Sequence, residues 1–283
     1  MNKCPARFLP LAVAAMALVP ALGATTAQAQ DFFAPPGPPG QEWLTLDLGG
    51  IVNRFNSSVR VNGESHRGSD INLENNSLDR NLSSFEGALI WRFLPNHRFD
   101  IRYYGAKRSG SRQYDREIDI GDSTFPLGAN VSVQSKNELF AANYRWSFWR
   151  TPQVETAFLV GLYGGTFKYD IEAVGISGTA ANTYHKSVST TLPLPVLGFS
   201  VDWYIDPRWK VSGELAGMKA KIGDIDGHAY VAAATGEYMI WRGLGVGLRY
   251  GWTDINADLT KSDFNGNIGA KTNAVSLYAK LVF

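Results

Sequence analysis

Cysteine is nearly absent: the 283-residue chain holds one, Cys4, so it has no disulfide framework, and thiol catalysis has nothing to rest on. Long apolar runs are also lacking. The longest, FLPLAVAAMALVPAL at 8–22, falls short of the ~20 residues a spanning helix needs and is broken by Pro10 and Pro20, which excludes a polytopic helical membrane protein. Charge of one sign is missing too. With 27 basic against 26 acidic residues, there is no electrostatic footprint for nucleic acid. Helical periodicity is absent as well. What is present is 29 Gly, 8 Trp, 12 Tyr and 15 Phe, with 45% hydrophobic residues in short alternating stretches, which excludes wholesale disorder and indicates an all-β chain.

The start of the chain has the parts of a secretory signal peptide: Lys3 and Arg7, the apolar run, and an Ala27-Gln28-Ala29 cleavage site. Removal of 1–29 takes Cys4 with it and leaves 25 basic against 26 acidic residues. A Pro/Gly-rich segment follows at 30–42. Its APPGPPG run favours extended conformation and reads as a periplasmic spacer before a β-domain at 43–283.

From Trp43 onward ten segments alternate apolar and polar residues: 43–56, 83–94, 98–110, 131–148, 153–168, 189–205, 208–221, 228–241, 244–257 and 270–283. Successive strand side chains point to opposite faces, so Leu44, Leu46 and Leu48 share one face while Thr45 and Asp47 share the other. Leu89, Trp91 and Phe93 likewise oppose Glu86 and Arg92.

Alternation alone does not say which face is inside. Connection lengths do: LPNHR (94–98), WRTPQ (149–153), IDPRW (205–209) and WRGL (241–244) are tight turns, whereas 57–82, 111–130 and 169–188 are long and polar. Aromatics gather beside the tight turns, among them Trp91, Phe99, Trp146, Trp149, Trp203, Tyr204 and Trp209, as an interfacial girdle would. The chain ends NAVSLYAKLVF, and with this ending it resembles the outer-membrane β-barrels of Gram-negative bacteria. That resemblance implies a transmembrane antiparallel up-and-down barrel, with Tyr278, Leu281 and Phe283 as a signal for the barrel-assembly machinery. It also implies periplasmic chaperones in biogenesis and outer-membrane lipid and lipopolysaccharide as surroundings. GSDINLENNSLD (68–79), DREIDIGDSTFP (115–126) and TTLPLPVLGFSVDW (190–203) look like segments of an uncharacterised porin-like family, which implies no activity.

The expected fold is therefore a barrel of ten strands, with eight or twelve as alternatives, a monomer by default. Its inward face would carry Asp47, Glu86, Asp100, Glu155, Asp202, Glu214 and Glu237 against Arg92, Arg102, Arg145, Lys210, Arg249 and Lys280. Charges in a narrow lumen must find partners. The functional expectation is a small porin-like channel for ions or small solutes. The alternatives are a closed barrel whose loops bind lipopolysaccharide, host or protein partners, and a barrel enzyme.

Pro193 and Pro195 share one face of a strand and remove two ladder donors, which predicts either a bend at the rim or a lateral seam. In the seam reading this feature resembles the lipid A palmitoyltransferase barrels, implying sideways passage of an apolar molecule. His185-x-Ser187 is similar to the lipid A deacylase pair, but no Glu follows at that family's spacing. Asp226-x-His228 is similar to half of an omptin protease site, with Asp119 and Asp122 at a departing spacing. Two-residue motifs do not outweigh a non-enzymatic reading. Asp224-x-Asp226-Gly227 resembles a calcium-loop fragment without its Glu, and first of all a hairpin turn, so no metal or cofactor is expected. Lys107, Arg108, Arg112 and Arg116 could meet lipopolysaccharide phosphates or pair with neighbouring acids.

Overall fold

A computed structural model describes residues 31–283 apart from 65, 66, 76, 77, 116, 121, 126, 127, 178, 179 and 261–264. The expected leader at 1–29 and Arg116 lie outside the described residues. The strands are β1 (Leu44–Val61), β2 (Ile71–Asn72), β3 (Asn81–Leu94), β4 (His97–Gln113), β5 (Ile118–Ile120), β6 (Ser123–Phe125), β7 (Asn130–Arg150), β8 (Val154–Ser177), β9 (Ala180–Tyr204), β10 (Trp209–Ile222), β11 (Ile225–Met239), β12 (Leu244–Thr260) and β13 (Asn265–Val282). Ten of them, all but β2, β5 and β6, run antiparallel in sequence order, and β13 pairs with β1 to close the ring. Closure leaves no edge strand within the bilayer, where unpaired backbone groups would find no water.

Each expected segment is one ring strand, but several strands run further on the long-loop side. The 169–188 stretch, expected as a loop, continues β8 and β9 into a hairpin paired as far as Ser177 and Ala180. The reason is visible in the side chains. On β1 the outward residues are apolar from Leu44 to Val52 and then become Arg54, Asn56, Ser58 and Arg60. The inward residues change the other way, from Thr45 and Asp47 to Ile51, Phe55, Val59 and Val61, all buried. β7 repeats the exchange, with Tyr144, Trp146 and Phe148 outward near its turn and Val131 and Val133 inward at its far end. The half beside the tight turns is therefore dressed for lipid, and the other half for water around an apolar core.

The ring also changes form between the halves. The β3–β4 ladder ends at Glu86 and Tyr104, and the β9–β10 ladder at Leu197 and Gly217. Beyond those points the sheet parts into two arms, β4-β7-β8-β9 and β10-β11-β12-β13-β1-β3, around a core of Val59, Val133, Phe167, Tyr169, Leu259 and Ile268. Side chains from the long connections complete it: Ile71, Leu73 and Leu78 from the first, Ile118, Ile120 and Phe125 from the β5–β6 hairpin.

Candidate functional site

The exterior of the lower half is apolar and exposed, with Leu89, Ile101, Val160, Leu162, Leu197, Phe199, Leu215, Leu248 and Leu277 among its members. Trp91, Phe93, Phe99, Trp146, Trp149, Trp203 and Trp209 stand exposed beside the short turns. Tyr204 does not join that girdle. Its side chain points inward and is buried at the barrel mouth, because it follows the exposed Trp203 on the pleat.

Inside the band, every expected lumen charge faces inward, and they meet as linked ion pairs. Both Arg92 terminal nitrogens donate to Glu155, at 3.0 and 2.9 Å. Arg145 donates to Asp100 at 2.6 Å and to Glu214 at 2.8 Å, and the Tyr163 hydroxyl donates to Glu214 at 2.6 Å. Arg102 holds Glu86 at 3.0 Å and reaches toward Asp47 at 4.0 Å. Lys210 and Lys280 converge on Glu237 at 2.7 and 2.9 Å, where the Tyr278 hydroxyl also donates. Asp47 and Arg249 are the loosest members, at 4.0 Å from Arg102 and 3.8 Å from Glu214. Burying ions is costly, so this layer persists because nearly every charge has a hydrogen-bonded counter-charge.

Sequence reasoning missed Arg98, which is buried and donates to Asp202 at 2.8 Å. It was hidden by its closeness to the LPNHR turn. The alternation Arg98, Asp100, Arg102 is the signal that assigns it to the lumen. Tyr278 also belongs to the network and lies on the lumen face, while Phe283 is exposed at the lipid side of the mouth.

One cavity lies within this layer and a second adjoins it. The first, of about 110 Å³, lies among Asp47, Arg98, Asp202, Lys210 and Glu237, and the second, of about 80 Å³, among Tyr104, Leu139, Tyr163, Ile255 and Thr272. Both are lined by Arg102 and Arg249.

The segment expected as a spacer is docked on the barrel. The Arg242 amide donates to Ala34 O and the Gly243 amide to Phe32 O, while Arg242 pairs with Asp31 at 2.6 Å. Further along, the Arg150 guanidinium donates to Gly40 O. Gly40 has φ 75°, and a Cβ there would sit 3.2 Å from the Tyr204 hydroxyl. Arg242 is in the β11–β12 turn and Arg150 ends β7, on separated sides of the ring, so residues 31–42 form a strap across the mouth.

Pro193 and Pro195 face outward at the rim, opposite Gly164 and Leu162 of β8. The ladder to β8 runs through both, and the ladder to β10 stops two residues short of Pro195. The missing donors therefore coincide with the parting of β9 from β10.

The other candidates do not assemble. His185 and Ser187 stand opposite Glu172 and Asp170 on the β8–β9 ladder, and the Ser187 hydroxyl donates to Asp170. His228 is paired with Asp254 at 3.8 Å on β12, while Asp119 accepts from Thr124 in the β5–β6 hairpin. Asp226-Gly227 is not the turn. Ile222 pairs with Ile225, so Gly223 (φ 56°) and Asp224 make it. Arg108 is not at the surface: it is buried and holds Glu74 at 2.7 Å.

A closed antiparallel ring with an apolar, aromatic-edged exterior and an ionic lumen has the architecture of the transmembrane β-barrels of outer membranes. Among solved structures the chain is similar to the outer-membrane protease OmpT of Escherichia coli, at 12% identity and TM-score 0.59, over 87% of this chain and 98% of that one. It is also matched to Ail, the attachment invasion locus protein of Yersinia pestis, at 11% identity and TM-score 0.30, over 86% and 100%. A further match is the toluene transporter TodX of Pseudomonas putida, at 9% identity and TM-score 0.34, over 93% and 92%. No family model and no curated protein matches the chain. The likeness to OmpT is one of fold.

Proposed function

We propose that this protein is a closed outer-membrane barrel that acts through its extracellular half, where its loops present a binding surface to partners, and not through an open lumen. The observation that carries this reading is that the interior is occupied at three successive levels: the strap, the ion-pair layer and the apolar core. A ten-stranded barrel is close to the size that side chains alone fill.

A gated path for ions or small solutes is the second reading. It is favoured by the two cavities that share Arg102 and Arg249, and by the exposed Asp31–Arg242 clasp at one end of the strap. Single-channel recording of the refolded mature protein in planar bilayers tests both. The closed reading expects a silent bilayer, with folding verified by heat-modifiable gel mobility. Discrete steps whose ion selectivity changes in Arg145→Ala or Glu86→Ala overturn it. Steps that arise only in Arg242→Ala support the gated path.

A further inference from the structure

The expected basic cluster on β4 is dispersed, since Arg108 is internal and Arg112 donates to Asn75 O. The ladder registers build a different one. Lys107 of β4 lies directly opposite Lys136 of β7, and Lys136 directly opposite Lys168 of β8. All three point outward, because their neighbours Ala106, Arg108, Ser135, Asn137, Phe167 and Tyr169 are the buried, inward residues. Like charges directly opposite each other on a sheet are destabilising, so three in a row on adjacent strands constitute a standing demand for an anion. The protein meets it in part. Glu138 pairs with Lys136 at 3.0 Å and also feels the charges of Lys107 and Lys168, with which no carboxylate makes an ion pair among the described residues.

The height of the row identifies the anion. The last outward apolar side chains beneath it are Tyr103 on β4, Phe140 on β7 and Leu162 on β8. Lys107 and Lys136 are four residues beyond theirs and Lys168 six, which at ~3.3 Å per residue and a tilt of ~40° is roughly 10 to 15 Å above the hydrocarbon edge. A lysine side chain snorkels several ångströms down from there, to the level of lipid phosphates. Strands stand ~4.8 Å apart, so the row spans roughly 10 Å, wide enough for more than one phosphate oxygen group.

We propose that Lys107, Lys136 and Lys168 form a binding site on the barrel exterior for the phosphate groups of a phosphorylated glycolipid of the outer leaflet. The site is outside the barrel, so it stands whether or not the lumen conducts. Lysine serves as a point charge for phosphate.

The test is titration of the refolded mature chain in detergent with bis-phosphorylated lipid A and with the same glycolipid after dephosphorylation, read by native mass spectrometry. The phosphorylated form is expected to bind at least about tenfold more tightly, and Lys136→Gln/Lys168→Gln to remove that preference. Lys271→Gln, at a lysine on β13 paired with Asp254 at 3.0 Å, should leave it unchanged. Equal binding of the two glycolipids, or an undiminished preference in the double variant, overturns the proposal. So does displacement of the lipid by inorganic phosphate at comparable affinity, which would assign the row to a soluble anion.

Discussion

At the scale of single residues, Glu74 shows how a polar group can seal an apolar compartment. It comes from the first long connection and is buried, accepting from the Ser57 hydroxyl at 2.6 Å, the Ser57 amide at 2.7 Å and Arg108 at 2.7 Å. Arg108 in turn stacks over Phe55, 4.2 Å from the ring centre. These contacts bridge the gap that opens where β3 leaves β4. Burial works to raise the Glu74 carboxyl pKa, but the Ser57 and Arg108 hydrogen bonds outweigh it and hold it below the ordinary carboxylate range. A lowered folded-state pKa means that the stabilisation is fully present above the unfolded value of about 4.3 and is lost as pH falls through the folded value. The connection should therefore stay protease-resistant at pH 5 to 7 and open on further acidification, as limited proteolysis across that range would reveal. Glu74→Gln should open it at neutral pH, at a cost of about 3 kcal/mol for leaving Arg108 buried without its counter-charge. Equal protection of the variant at neutral pH would mean that the apolar contacts alone hold the segment.

At the scale of elements, the parting of β9 from β10 can be tested through its prolines. Pro193→Val with Pro195→Val supplies two donors on the side facing β10, each worth about 1 kcal/mol if bonded. Hydrogen exchange at Lys219, Lys221 and the two new amides should slow as the ladder lengthens, because the register continues to Pro195 opposite Lys219 and Pro193 opposite Lys221. Exchange as fast as in the parent protein would attribute the gap to the outward course of β10, whose Met218 is exposed although its ladder partner Ala229 is buried. The prolines were legible in the sequence because a missing donor is a local property of the residue. The ten strands and the lumen charges were legible for a related reason, since alternation with lipid outside leaves a period of two that any one strand displays. The upper ends of the strands were not. On β1 the apolar residues change face between Leu48 and Phe55, with Ile51 inward and Val52 still outward, so the pattern loses its phase there while the strand continues. The lysine row was invisible for another reason: Lys107, Lys136 and Lys168 are brought together by register between strands, which no single segment encodes.

At the scale of the whole molecule, one set of continuous strands is solvated in two ways, and this divides the sources of stability. Below, exposed side chains such as Leu162 gain from lipid; above, buried ones such as Phe167 gain from each other. Phe167→Ala removes a fully buried ring and should cost the upper half about 3 to 5 kcal/mol. Because the lower ladders and their lipid contacts are untouched, the variant should keep its heat-modifiable gel mobility while its long connections become sensitive to added protease. Leu215→Arg, level with Phe199 and Phe158 in the middle of the lipid-facing band, should do the reverse. It puts a charge on the lipid face, at about 2 to 4 kcal/mol near the midplane and less toward the rim, and should lower the yield of inserted barrel. The molecules that do insert should keep protease-resistant connections. If Phe167→Ala instead abolishes the heat-modifiable form, the ladders that run through both halves bind them into one cooperative unit. The apolar core would then be a condition of membrane insertion and not an independent cap upon it.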